Sequence, residues 1–267
     1  MNKATATAIK AATTAGALLR DNLGNIKSID YKGAFNIVTD VDKASERLIL
    51  DILSSQTPDY SILTEEAGAL HSGYKKRWLI DPLDGTTNYT HSYPFFCVSI
   101  ALEDAGKIVS GAVYNPIADE LFWAEEGLGA YLHNEQIHVS QVSTMSASLL
   151  ATGFPPDTAR AADNNMSRFV AVTDLTHGVR RDGSAALDLC FVACGRLDGF
   201  WETKLAPWDT AAGELIVTEA GGKVTNLEGS SFDMSNGYIL ATNNLIHDEI
   251  VAVFARLTNK RLTICDA

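Results

Sequence analysis

Between residues 77 and 126 the apolar pattern changes from the spacing of helices to that of strands. The runs RWLID (77–81), FFCVSIALE (95–103), KIVSGAVYN (107–115) and ELFWAEE (120–126) are strand-like, with turns such as DAG (104–106) between them. Before them lie two helical stretches. Residues 4–23 space Ile9, Ala12, Leu19 and Leu23 on one face and stop at Gly24, and DKASERLILDILS predicts a second helix over 42–54. The segment YKGAFNIVTDVD between them reads as a loop or short hairpin. After the strands, GLGAYLHNEQIHVS predicts a hairpin turning at Asn134–Glu135.

Strands are then expected in SLLATGF, HGVRR, LDGFWE, GKVTN and YILAT. They are interleaved with helices over 158–173, 184–195, 208–222 and 245–258. Helices and strands in this mixed order predict a layered α/β (α+β) architecture. The 267 residues suit one domain, 1–267, built of two packed halves of about 1–140 and 141–267.

The formal net charge of -12 makes the chain a poor partner for nucleic acid, whose phosphates it would repel. No apolar run is long enough for a membrane span, and the N-terminus lacks a signal-like apolar core. Cys97, Cys190, Cys194 and Cys265 form no CxxC pair and read as reduced thiols of a cytoplasmic protein. The six histidines form no HExxH arrangement, which argues against a zinc hydrolase.

Chemistry concentrates in IDPLDGTTNY (80–89). The buried strand is expected to end at Asp81, because Pro82 cannot continue a ladder. Asp81 and Asp84 can then face one point beyond the strand. Hard divalent cations take oxygen ligands, and the Leu83 carbonyl could add another. Gly85 lets the backbone approach a ligand closely, and Thr86 and Thr87 open a short helix whose free N–H groups suit an oxyanion. Standing alone, the segment is also an ordinary Asp-Pro and Asp-Gly turn. Two further element ends carry acids: ILTEEAG (62–68) with Glu65 and Glu66, and PWDTAAGE (207–214) with Asp209. Surface acids and a helix cap would account for these singly, as an N-cap would for Asp42. Three acid-bearing ends in one chain point to cation binding.

DPLDGTTNY, TEEAG and PWDTAAGELIVTEAGG resemble the inositol monophosphatase family of magnesium-dependent, lithium-sensitive phosphatases. The resemblance extends to NIVTDVDKASE, YPFFCVSI, ATGFP, GSAALDLC and LDGFWE, in the family's order and over nearly the whole chain. It implies an α-β-α-β-α fold like that of fructose-1,6-bisphosphatase, and a homodimer. It also implies that Glu65, Asp81, the Leu83 carbonyl, Asp84 and Asp209 ligate magnesium. Asp42 would help hold a weaker third ion through water. Thr86 and Glu65 would orient and deprotonate the attacking water, and the Gly85 and Thr86 N–H groups would hold phosphate. Gly183, Ser184 and Ala185, with Glu202, would meet the alcohol, beside Asp209.

The implied activity is hydrolysis of a small phosphate monoester, foremost inositol 1-phosphate, by direct water attack. Thr-Thr-Asn after Asp-Gly departs from the Thr-Lys usual in phosphoadenosine phosphatases. Lys204 stands where many relatives carry a small residue, and reads as solvent-facing or as a contact to an anionic substrate. Lys32 and Asp40 read as loop charges or as outer charges near the third ion. Related proteins also handle histidinol phosphate, fructose 1,6-bisphosphate or glycerol 2-phosphate, and some bacterial relatives bind transcription complexes.

Overall fold

The strand-like runs after residue 77 form the middle of an eight-stranded sheet. The computed structural model describes residues 1–31, 37–71, 73–155, 158 and 164–265, with the backbone alone from 258 onward. Helix α1 (Lys3–Asp21) is followed by an antiparallel pair, β1 (Ile29–Tyr31) and β2 (Ile37–Thr39), and by α2 (Asp40–Gln56). The large sheet contains β3 (Ser61–Thr64), β4 (Gly68–Leu70), β5 (Lys76–Asp84), β6 (Cys97–Asp104), β7 (Lys107–Asn115), β8 (Glu120–Glu125), β9 (Gly129–Leu132) and β10 (Glu135–Ile137). Helix α3 (Thr86–Thr90) follows β5, and the strand order is β10-β9-β8-β7-β6-β5-β3-β4.

A five-stranded sheet contains β11 (Leu149–Thr152), β12 (Gly178–Arg180), β13 (Gly199–Glu202), β14 (Lys223–Thr225) and β15 (Ile239–Thr242), in the order β12-β11-β13-β15-β14. Helices α4 (Met166–Thr173), α5 (Ala185–Ala193), α6 (Pro207–Glu219) and α7 (His247–Cys265) accompany it. No helix among the described residues is long and apolar enough to cross a membrane.

The two-residue period of the strands sorts side chains into layers. Trp78 and Ile80 pack with Ala8, Ala12, Leu19, Ile49 and Leu53 of α1 and α2 on one face of the large sheet. Leu79, Ala101 and Val113 point the other way, onto Leu189 of α5 and Ala212 and Ile216 of α6. Those helices are shared with Phe200 and Ala241 of the small sheet. Leu150, Trp201 and Leu240 face outward to Val172 of α4 and Ile250 and Phe254 of α7. The layers therefore run α-β-α-β-α, as expected.

Several boundaries differ from the sequence reading. Strand β5 does not end at Asp81: the ladder with β6 shifts register between Asp81 and Asp84 and resumes at Asp84 opposite Cys97. A bulge absorbs the missing N–H of Pro82. Helix α2 starts at Asp40 rather than 42, because Thr39 is the N-cap and Asp42 occupies the third position of a capping box. The hairpin of β9 and β10 turns at His133–Asn134, with Leu132 opposite Glu135. Of the helix expected over 158–173, Met166–Thr173 is helical, whereas 158, 164 and 165 are not; residues 159–163 lie outside the described residues, as does Lys32.

Candidate active site

One face of α2 positions much of the site. Asp42, Ser45 and Glu46 fall three and four residues apart, so they share that face. Asp42 is fully buried; Thr39 N–H and Thr39 Oγ1 donate to its Oδ2, and Thr86 Oγ1 donates to its Oδ1 at 2.9 Å. Ser45 Oγ donates to the Pro82 carbonyl at 2.7 Å, pinning the bulge of β5. Glu46 Oε1 accepts from Thr64 Oγ1 at 2.6 Å and from Ala67 N at 3.0 Å, shaping the turn that carries Glu65. This helix face was legible in the spacing of DKASE, but its use was not.

Glu65, Asp81, Leu83, Asp84, Gly85, Thr86, Gly183 and Asp209 all line one cleft of about 270 Å³, together with Ile37, Thr87 and Arg181. A larger cleft of about 530 Å³ runs along α6 towards its C-terminal end and contains none of these residues. Asp81 Oδ1 accepts the Leu83 N–H at 3.0 Å. Asp209 stands at the third position of α6, where its Oδ2 accepts the Ala206 N–H at 2.7 Å. Burial drives the Asp81 carboxyl well above the ordinary range, and the charges of Glu65, Asp84 and Asp209 push it further. Asp209 is raised well above it too, by burial and then by Asp84, with Glu65 and Glu202 adding to the effect. Asp84 is raised by burial, while the Ser184 hydroxyl and the Ala186 N–H pull it back.

Gly85 caps α3 with φ 94°, and a side chain there would press on the Phe95 carbonyl and on Phe96. Asn88 Nδ2 donates to the carbonyls of Phe95 and Asp182, both at 2.7 Å, and so ties the loop before α5 to the loop after β5. Ser184, expected beside the alcohol, is 1 % exposed and turned towards Asp84, donating to its Oδ2 at 2.6 Å; Ala186 N donates to the same oxygen at 2.9 Å. Ala185 is buried next to it.

Glu202 ends β13 and is raised to about 8 by burial, with Arg181 opposing and Asp84 reinforcing the shift. Lys204 is exposed, with φ 62°, a conformation that favours glycine. Asp40 accepts the N–H groups of Lys27 and Ser28, each at 3.1 Å, and so anchors the start of α2. Glu66 is half-buried and does not line the cleft.

Two residues were missed in the sequence. Arg181 brings a guanidinium to the wall of the acidic cleft; its signal was its place two residues before Gly183. Asp188 is 1 % exposed and its Oδ1 has no hydrogen-bond partner. Burial pushes it well up, and Asp182, Glu202 and Asp84 add to this while Arg181 opposes it.

Four carboxylates in one cleft, with a carbonyl beside them, form an oxygen-only donor set suited to a hard divalent cation. Among the described residues no three His, Cys, Asp or Glu side chains form a ready-made metal cage. A cation in the cleft would relieve the repulsion that Glu65, Asp84 and Asp209 exert on Asp81.

The sequence pattern of the inositol monophosphatase family matches residues 1–259. The inositol-1-monophosphatase of Synechocystis sp. is 48% identical over 93% of this chain and 87% of its own length. Nus factor SuhB of Escherichia coli is 40% identical over 97% of this chain and 96% of its own length. The solved inositol monophosphatase of Anabaena superposes with a TM-score of 0.87 at 46% identity, covering 94% of this chain and 95% of that one. With an acid-lined cleft, a layered fold and relatives of this similarity along nearly its whole length, the chain belongs to the inositol monophosphatase family and is a phosphatase.

Proposed function

We propose that the chain hydrolyses inositol 1-phosphate to inositol and phosphate in a magnesium-dependent reaction, by direct attack of water and without a phosphoenzyme. The observation that carries this reading is the convergence of Glu65, Asp81, Asp84 and Asp209 on one cleft with the Gly85–Thr86 turn. Glu65, Asp81, Asp84, Asp209 and the Leu83 carbonyl would hold two or three magnesium ions. Magnesium, when bound, neutralises phosphate charge and lowers the pKa of bound water.

The chain's own groups do the rest. Thr86, braced by Asp42, and Glu65 orient the water and take its proton. The N–H groups of Gly85 and Thr86 hold phosphate oxygens. Ser184 fixes Asp84, while Gly183, which lines the cleft, would meet the alcohol together with Ala185 and Glu202, which do not line it. Asp42, with both carboxylate oxygens engaged by protein donors, would help hold a third ion through water.

The chain is further proposed to act in the cytoplasm as a homodimer. The free thiols Cys97, Cys190 and Cys194 suit a reducing compartment. The edge strand β12, beside α4 with its exposed Met166 and Val170, supplies a surface for a second copy. Light scattering that shows monomer alone would remove the dimer.

The test of activity is phosphate release from inositol 1-phosphate, histidinol phosphate, fructose 1,6-bisphosphate and phosphoadenosine phosphate, with and without magnesium and with lithium. Magnesium-dependent, lithium-sensitive turnover favouring inositol 1-phosphate is expected. Preference for another member of the panel would replace the substrate. A second reading, binding to a transcription complex, is favoured by the similarity to Nus factor SuhB. Capture of transcription proteins by a variant without turnover would support it.

A further inference from the structure

Strands β11 and β13 run side by side and parallel, with Thr152 opposite Trp201. One residue further along, Gly153 of the ATGFP segment meets Glu202. A methyl group placed on Gly153 would overlap three atoms, Cδ, Oε1 and Oε2 of Glu202, and these are its nearest neighbours. The carboxyl therefore lies directly against the Gly153 backbone, in space that any side chain would fill. The backbone does not require glycine here, since Gly153 is not among the residues with positive φ. Its missing side chain is explained by the carboxyl that it faces.

The platform around this contact is locked. Thr152 Oγ1 donates to the Trp201 carbonyl at 2.6 Å. Asn165 Nδ2 donates to Thr152 Oγ1 at 2.9 Å and to the Gly153 carbonyl at 2.8 Å, while its Oδ1 accepts from Trp201 Nε1 at 2.8 Å. Asn165, Thr152 and Trp201 are all buried. The backbone on both sides of the contact is thus held by buried hydrogen bonds, and only the Glu202 side chain can yield.

We infer that Gly153 is a positioning residue that sets where the Glu202 carboxyl meets the alcohol part of the substrate, and so tunes selectivity for a polyol leaving group. The inference rests on the proposed role of Glu202. Gly153→Ala keeps the locked platform and swings the carboxyl away from it. A displaced carboxyl weakens recognition of hydroxyl groups and leaves the acidic cleft in place.

The experiment compares kcat/KM for inositol 1-phosphate and p-nitrophenyl phosphate, which has no polyol, at saturating magnesium. It uses wild type, Gly153→Ala, Glu202→Ala and the double variant. Gly153→Ala is expected to lower the ratio of the two kcat/KM values about tenfold, through KM for inositol 1-phosphate, with a melting temperature within a few degrees of wild type. In the Glu202→Ala background the same change should have no further effect on the ratio. A drop in the ratio for Glu202→Ala but none for Gly153→Ala overturns the inference and spares the role of Glu202. An unchanged ratio in both single variants removes both. If Gly153→Ala fails to fold, the double variant, which lacks the obstructing carboxyl, should fold; failure of both would mean that the backbone itself requires glycine, and would overturn the inference.

Discussion

Thr86 Oγ1 donates to Asp42 Oδ1 across 2.9 Å and approaches the Leu83 carbonyl at 3.1 Å, joining the first residue of α3 to the first turn of α2. The carboxylate holds the hydroxyl in one orientation, with its own remaining oxygen anchored by Thr39. Thr86→Val removes the hydroxyl and keeps the shape. The expected result is a fall in kcat of about 10²–10⁴-fold, the usual contribution of a positioned proton-transfer group. The magnesium concentration for half activity should change little, and Thr86→Ser should restore much of the rate. Equal losses in rate and magnesium affinity would make Thr86 a structural residue.

Glu46 has a less direct claim on the site. Its Oε1 accepts both Thr64 Oγ1 and the Ala67 N–H, so it fixes the turn carrying Glu65 although it does not line the cleft. Glu46→Ala leaves two donors without their partner and is expected to cost about 1–3 kcal/mol. Chemical denaturation would measure that loss, and magnesium titration of activity should show weaker affinity. Glu46→Gln keeps an acceptor in the same place and should lie near wild type in both. A Gln variant as impaired as Ala would mean that the charge matters and not the bond.

The layers were legible because period and burial agree: Trp78 and Ile80 face one helical layer, and Leu79 faces the other. The acids were legible because Asp81 closes an apolar run, Asp84 ends β5, Glu65 follows β3 and Asp209 lies in the first turn of α6. The bulge after Pro82 was not, since a proline ends a strand as readily as it bends one, and the Ser45 bond that holds it spans 37 residues. Nor was the engagement of Ser184 with Asp84, which links residues 100 apart. Arg181 was missed because an exposed arginine in a loop carries no pattern. Contacts across long separations have no local signature, and they are what convert a row of acids into a shaped cleft.

Glu202 gives stability a pH dependence whose sign is fixed. Its ordinary value is about 4.3, whereas burial raises it to about 8 in the folded protein despite the opposing Arg181. Between those values the folded state keeps a proton that the unfolded chain releases. The contribution is therefore fully present below about pH 4 and lost as pH rises through about 8. Glu202→Gln has no such proton. The melting temperature of the variant relative to wild type, measured without substrate or divalent cation, should rise by about 3 °C or more from pH 5 to pH 8.5. A constant difference across that range would contradict the raised value.

Asp209 caps α6 and is a proposed cation ligand, and its replacement separates the two roles. Its Oδ2 accepts the Ala206 N–H at 2.7 Å, a bond that an asparagine oxygen can keep, so Asp209→Asn should fold. Without divalent cation the variant loses one of the mutually repelling charges gathered around Asp81, and its melting temperature should exceed that of wild type by a few degrees. Magnesium at about a hundred times its dissociation constant should stabilise wild type by about 2.7 kcal/mol, or roughly 5–10 °C. The variant should show little of that rise and almost no phosphate release. Calorimetry with and without magnesium decides the matter. A full magnesium response in Asp209→Asn would remove Asp209 from the cation site, whereas a cation-free variant less stable than wild type would mean that capping outweighs repulsion at the start of α6.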